Sequence, residues 1–248
     1  MMPNPGASKD EAMGQDKDDS LLTIERVKIR RRYAVALAGV VLYLVLDAAA
    51  QLLPPHYSPI SQAESDLAVG PFGYIMALNF LNRGILSLEF VFALMGTVRL
   101  TDGDIPHYRR GILLLGVWSV GALLLALFPT DVPSTPVSWH GATHLVVAVV
   151  AFIAGAFGAL LVSIRMGGNQ TLQRVRRFAL PISAMAVVFC LLELLGPFFA
   201  PHFMSDFGGL IERMFLGTVL LWMAAISAVI LKDVGNPVGQ TSSSPAGP

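Results

Sequence analysis

His140 and His144 stand one helical turn apart, shortly after Asp131. On a helix both imidazoles project from one face, and a carboxylate beside them completes a donor set that a zinc ion accepts. With Asp131 or Glu193 as the oxygen donor, such a centre can activate water, the chemistry of a metal-dependent membrane hydrolase. The pair has no His-Glu-x-x-His context and no third histidine in the same helix. The plainer alternative is that both rings hydrogen-bond interfacial groups beside Trp139. Ser65 next to Asp66 has the residue types of a nucleophile and its helper, although Ser-Asp is also a common loop or cap pairing.

A second group of polar residues lies inside long apolar runs: Asp47, Asn79, Asn82, Arg83, Glu89, Glu193, Glu212 and Arg213. An acid or arginine at the centre of a membrane helix costs about 2.5 to 3.5 kcal/mol, and several facing lipid would sum to roughly 10 kcal/mol or more. They must therefore face one another or a wet enclosure. Two arginines against four acids (Asp47, Glu89, Glu193, Glu212) do not balance, so at least one acid is protonated or solvated. Arg83 has two readings: an ion pair with Glu193, Asp47 or Glu212 that holds helices in register, or an anchor for the anionic group of a ligand. Asn79 precedes it by one turn, and Asn82 with Glu89 forms an adjoining stripe, so this helix is polar along one side.

The elements that position these residues follow from composition. The chain of 248 residues is 54% hydrophobic and only 14% charged, against about 25% charged in soluble domains. It is therefore an all-α integral membrane protein. Six apolar stretches reach spanning length: about Tyr33 to Leu53, Phe72 to Val98, Arg110 to Phe128, Trp139 to Ile164, Phe178 to Ala200 and Phe207 to Leu231. Residues 1–20 and 233–248 are too polar to bury and read as disordered tails flanking a domain at 21–232. Leu21 to Arg32 reads as a short basic amphipathic helix on the membrane surface. Formal net charge is zero, which excludes a nucleic-acid face. Cys190 is the single cysteine, so no internal disulfide forms.

Charge placement gives a direction. Arg99, Arg109 and Arg110 flank the second link, Arg165, Arg174, Arg176 and Arg177 the fourth, and Lys232 follows the last span. The links Pro54 to Pro71, Pro129 to Ser138 and Pro201 to Asp206 carry no Lys or Arg. By the positive-inside rule both termini are cytoplasmic. The buried ionisable groups, Glu89 apart, then gather in the outer half of the membrane. Asp206 with Gly208 and Gly209 reads as the N-cap of the sixth helix. Gly111, Gly116, Gly155 and Gly158 allow close helix packing.

Three segments carry a family likeness: Ile60-Ser61-Gln62-Ala63-Glu64-Ser65-Asp66-Leu67-Ala68-Val69-Gly70, Phe128-Pro129-Thr130-Asp131 with His140-Gly141 and His144, and Gly208-Gly209-Leu210-Ile211-Glu212-Arg213. From Arg32 to Leu231 the chain resembles the bacterial membrane family called domain of unknown function nine-nine-eight. The resemblance implies a six-helix bundle in the bacterial cytoplasmic membrane and brings no activity with it. The expected site is a polar pocket open to the outer face, formed by Asp47, Ser65, Asp66, Asn79, Asn82, Arg83, Asp131, His140, His144, Glu193, Glu212 and Arg213. Binding or transport of a small molecule or lipid headgroup is the leading reading. The hydrolase and a purely structural scaffold are the alternatives.

Overall fold

The structure, a computed structural model, describes residues 9–54, 56–101, 105–132, 135–168 and 170–235. Six helices carry the chain: α1 (Lys9–Gln51), α2 (Gly73–Thr101), α3 (Ile105–Leu125), α4 (Trp139–Arg165), α5 (Gln170–Phe199) and α6 (Pro201–Gly235). A 3-10 turn, Glu64–Ala68, lies between α1 and α2 and another, Met166–Gly168, follows α4. No strand occurs among the described residues, and all six helices are long and apolar enough to cross a membrane. The reason is general: backbone amides in lipid must be bonded within their own segment.

Each helix packs on the next in sequence, and α6 closes back on α1, so the bundle is a ring. Its centre is aromatic. Trp118, Phe215 and Phe152 meet edge-on or tilted, and Phe90 packs on Trp222. Both indole N–H groups are satisfied by small hydroxyls, Trp118 donating to Ser87 Oγ at 3.2 Å and Trp222 to Ser163 Oγ at 2.8 Å. Glycines set the closest approaches: a side chain at Gly155 would run into the Trp118 ring, and one at Gly111 into Val162. Gly158 serves the same end against Leu114 and Leu115, whereas Gly116 has open space before it. A concavity of about 600 Å³ runs over α3 between α2 and α4. Its walls are apolar, among them Phe92, Val117, Val120 and Val150, so its natural filling is lipid chain.

Three boundaries differ from expectation. α1 starts at Lys9 and runs 43 residues without a break, about 65 Å of helix. Residues 9–20 therefore belong to it, and Leu21 to Arg32 continues directly into the first span. Residues 1–8 and 236–248, the remainder of the expected tails, lie outside the described residues. α6 starts at Pro201, because proline is preorganised for a first helical position. Asp206 is consequently an exposed residue inside the helix, not its cap. Ala200 alone separates α5 from α6, its amide bonded back to Gly196 O at 2.8 Å and its carbonyl accepting from Met204 N at 3.0 Å.

Candidate functional site

The links α1–α2, α3–α4 and α5–α6 share one end of the ring, and the first of them does not stay on the surface. From Tyr57 to Ala68 it folds inward against α1 and α6, leaving Glu64 only 1% exposed. Gly209 makes this possible: a side chain there would overlap the backbone carbonyl of Gln62. The Ile60 carbonyl accepts from Leu210 N at 2.9 Å across the same seam. The link leaves the site through Gly70, whose φ of 97° lies in the left-handed region that glycine tolerates.

Arg213 fastens this loop. Its guanidinium donates to Pro59 O at 3.1 Å, to Gln62 O at 3.2 Å and to the Tyr57 hydroxyl. Tyr57 in turn donates to Gln62 O at 2.8 Å and Ala63 O at 2.7 Å. Asp47 lies 3.9 Å from Arg213, an ion pair too long for a hydrogen bond, while its other oxygen accepts from Gln51 Nε2 at 2.6 Å. Charge-assisted bonds to backbone carbonyls fix a loop more firmly than neutral ones.

Inside the loop lies a second set of groups. Glu64 accepts from the Tyr43 hydroxyl of α1, and its backbone amide donates to Glu212 Oε2 on α6 at 2.8 Å. Burial pushes the Glu64 carboxyl up to about 8; the charges of Asp47 and Glu212 add to the rise, and those of Arg83 and the Tyr43 bond oppose it. Asn79 donates to Tyr43 O at 3.2 Å and Asn82 to Gly39 O at 2.9 Å, tying α2 to α1. Arg83, one turn beyond Asn79, is 1% exposed. It makes no ion pair and no hydrogen bond among the described residues, and its Nε is fully buried without an acceptor. Its guanidinium carbon sits 5.2 Å from the Phe80 ring centre and 5.0 Å from that of Trp118. Ring contacts ease the burial of a cation and leave its hydrogen bonds unmade. Glu64 Oε2, Asn79 Oδ1, Glu193 Oε2 and Arg213 Nε are likewise buried without a hydrogen bond, and Asp47 Oδ1 has only the long contact to Arg213. Buried polar groups are nearly always bonded, so this concentration in one place is unusual.

The expected ion pair of Arg83 with Asp47, Glu193 or Glu212 therefore does not form. Arg213 faces Asp47, Glu212 serves the Glu64 amide, and Glu193 is half-buried on α5 within electrostatic reach of Glu212 and Cys190. The polar stripe of α2 also divides. Asn79 and Arg83 face the cluster, Asn82 is used against α1, and Glu89 pairs with Arg32 of α1 at 3.9 Å nearer the other end. Ser65 and Asp66 sit half-buried in the Glu64–Ala68 turn with no bond between their side chains. Asp66, its carboxyl raised by burial, lines a small vestibule of about 190 Å³ with Tyr57, Gln62, Leu67 and Val132.

Asp131, His140 and His144 form a separate corner at the start of α4. Both Asp131 oxygens accept from Ser138, the amide at 2.8 Å and the hydroxyl at 2.5 Å, and Ser138 Oγ accepts from Gly141 N at 3.1 Å as the helix cap. These bonds hold the Asp131 carboxyl below the usual carboxylate range. His144 is buried, its Nδ1 bonded to Phe128 O at 2.7 Å, and His140 stacks on Trp139 with ring centres 3.5 Å apart. Among the described residues no three His, Cys, Asp or Glu side chains converge as a metal ligand set. A zinc ion on the histidine pair would have to take Asp131 away from Ser138.

Tyr43, Tyr57, Glu64 and Trp118 are members of the site that residue type alone did not single out. A signal existed for Tyr43, which lies one turn before Asp47 on the same face of α1. None existed for Glu64, since a loop glutamate ordinarily faces water.

A ring of six spanning helices with a re-entrant loop over a buried charge cluster defines a multi-pass membrane protein. A family model described as protein of unknown function (DUF998) matches residues 37–229, and the chain belongs to that family. No curated protein and no solved structure gives a significant match.

Proposed function

We propose that the protein binds a small polar ligand, free or as a lipid headgroup, in the cluster enclosed by α1, α2, α6 and the Tyr57–Ala68 loop, and that binding serves transport or capture of that ligand. The observation that carries this reading is Arg83. A guanidinium 1% exposed and unbonded among the described residues is expensive to bury. Arg213, which fastens the loop, is by contrast bonded to the chain itself and accounts for the architecture without a ligand. Arg83 contributes nothing comparable to holding helices together, so an anionic group from outside is its natural partner.

The loop end, which bears no Lys or Arg between helices, faces outward in this reading, with both termini in the cytoplasm of a bacterial cell. Cysteines placed singly at Ser61 and Thr130 should then react with an impermeant thiol reagent in whole cells; reaction only after lysis would reverse the orientation. For the site itself, Arg83→Met is the test. It removes an unpaired buried charge, so the purified variant should unfold at a temperature equal to or above that of wild type. Saturable stabilisation of wild type by polar metabolites or defined lipids should vanish in the variant. A variant that loses stability and keeps ligand response would make Arg83 a structural residue.

A further inference from the structure

The groups left open around Arg83 are of two kinds, and their combination narrows the ligand. Arg83 Nε is a donor with no acceptor; Glu64 Oε2 and Asn79 Oδ1 are acceptors with no donor. All three belong to side chains at most 1% exposed. Asn79 has committed its amide nitrogen to Tyr43 O, and Glu64 its first oxygen to the Tyr43 hydroxyl, so in each the remaining oxygen is the free valence. Glu193 Oε2 extends the shortage of donors to α5.

A simple anion would satisfy Arg83 and leave Glu64 Oε2 and Asn79 Oδ1 without a donor. A simple cation would satisfy the carboxylates and meet Arg83 and Arg213. Each leaves one kind of orphan atom unanswered in a place where an unmade hydrogen bond is costly. A compact molecule carrying both charges a few bonds apart answers both.

Resting on the binding reading above, we infer that the site takes a zwitterion, its carboxylate or phosphate accepting from Arg83 and its ammonium donating to Glu64 Oε2 and Asn79 Oδ1. The loop that carries Glu64 stands between the cluster and a vestibule. Tyr57, Gln62, Asp66 and Leu67 line the vestibule on one side of it, while Glu64 faces the cluster on the other. Free amino acids and the ethanolamine phosphate headgroup share the required chemistry.

The test uses the full chain in nanodiscs and follows thermal unfolding. Glycine and ethanolamine phosphate are compared with their single-charge counterparts, acetate, inorganic phosphate and methylamine, at equal concentration and ionic strength. Discs of phosphatidylethanolamine are compared with discs of phosphatidylglycerol. A saturable upward shift with either soluble zwitterion assigns a free solute, and a higher unfolding temperature in phosphatidylethanolamine alone assigns a headgroup; both support the inference. Because these comparisons are made on wild type, they do not depend on a variant folding. Glu64→Gln and Arg83→Lys should each weaken the response about tenfold or more. If acetate or phosphate stabilises as well as the zwitterions, the inference fails and the binding reading survives. If methylamine alone does, the inference fails and Arg83 loses its role as the anion partner. If no probe or lipid shifts unfolding, both fail.

Discussion

Two polar corners occupy the same end of the bundle, built from similar residue types and joined through Phe80, whose ring lies against His144 and under Arg83. In the Asp131–Ser138–His144 corner the side chains are bonded within the chain: both Asp131 oxygens and the cap of α4 are used, and His144 holds Phe128 O. In the Glu64–Arg83–Arg213 cluster the loop is bonded as fully, yet a set of buried atoms behind it has no partner. The difference separates polar residues that build the fold from polar residues held ready for something else. Each corner buries polar side chains, His144 in the first and Glu64, Asn79 and Arg83 in the second, and completed hydrogen bonding distinguishes them.

The pH dependence should show the largest contrast. The folded protein holds the Glu64 proton more tightly than the unfolded chain, so stability should fall as pH rises from about 4.5 to about 8 and level off above. The change should be on the order of a few kcal/mol, and Glu64→Gln should remove that part of the slope. Asp131 has the opposite sign: its contribution is present above the ordinary value of 3.8 and is lost as pH falls through its lower folded value. A flat curve between pH 5 and 8 in detergent or nanodiscs would show that Glu64 is solvated and the cluster open to water.

Arg213→Ala should be next, at about 3 kcal/mol, since it takes the donor from the Pro59 carbonyl and removes the charge-assisted bonds to Gln62 O and the Tyr57 hydroxyl. Protease sensitivity should rise within the α1–α2 link first. Gly209→Ala should cost about 2 kcal/mol, because the added methyl meets Gln62 backbone, which cannot rotate aside. Gly217→Ala, with open space before it, is the matched control and should be neutral in the same thermal scan. Ser138→Ala should be the smallest, about 1 kcal/mol for a lost helix cap, and it should leave ligand-dependent stabilisation intact. A ligand response abolished by Ser138→Ala would mean that the two corners act as one site.

Arg83 and Arg213 illustrate what was legible in the chain. Both stand in apolar runs, and both demanded an explanation from sequence. Which of them would find a carboxylate was not readable, because Asp47 lies on a different helix from either and the choice depends on how α1, α2 and α6 rotate about their axes. Asp206 was misplaced for a local reason: Pro201 starts α6 earlier than the polar residues around Asp206 suggested. Glu64 was hidden because a re-entrant loop has no hydropathy pattern of its own.

The sequence by itself determined six spanning helices, their alternating links and the presence of buried charge, since run length and apolar content act within each segment and need no partner. Only the tertiary structure decided that the first link turns inward, that Arg213 holds it and that Arg83 stands unbonded behind it. Those outcomes depend on hydrogen bonds between residues far apart in the chain, whose geometry exists only after the ring of helices has closed.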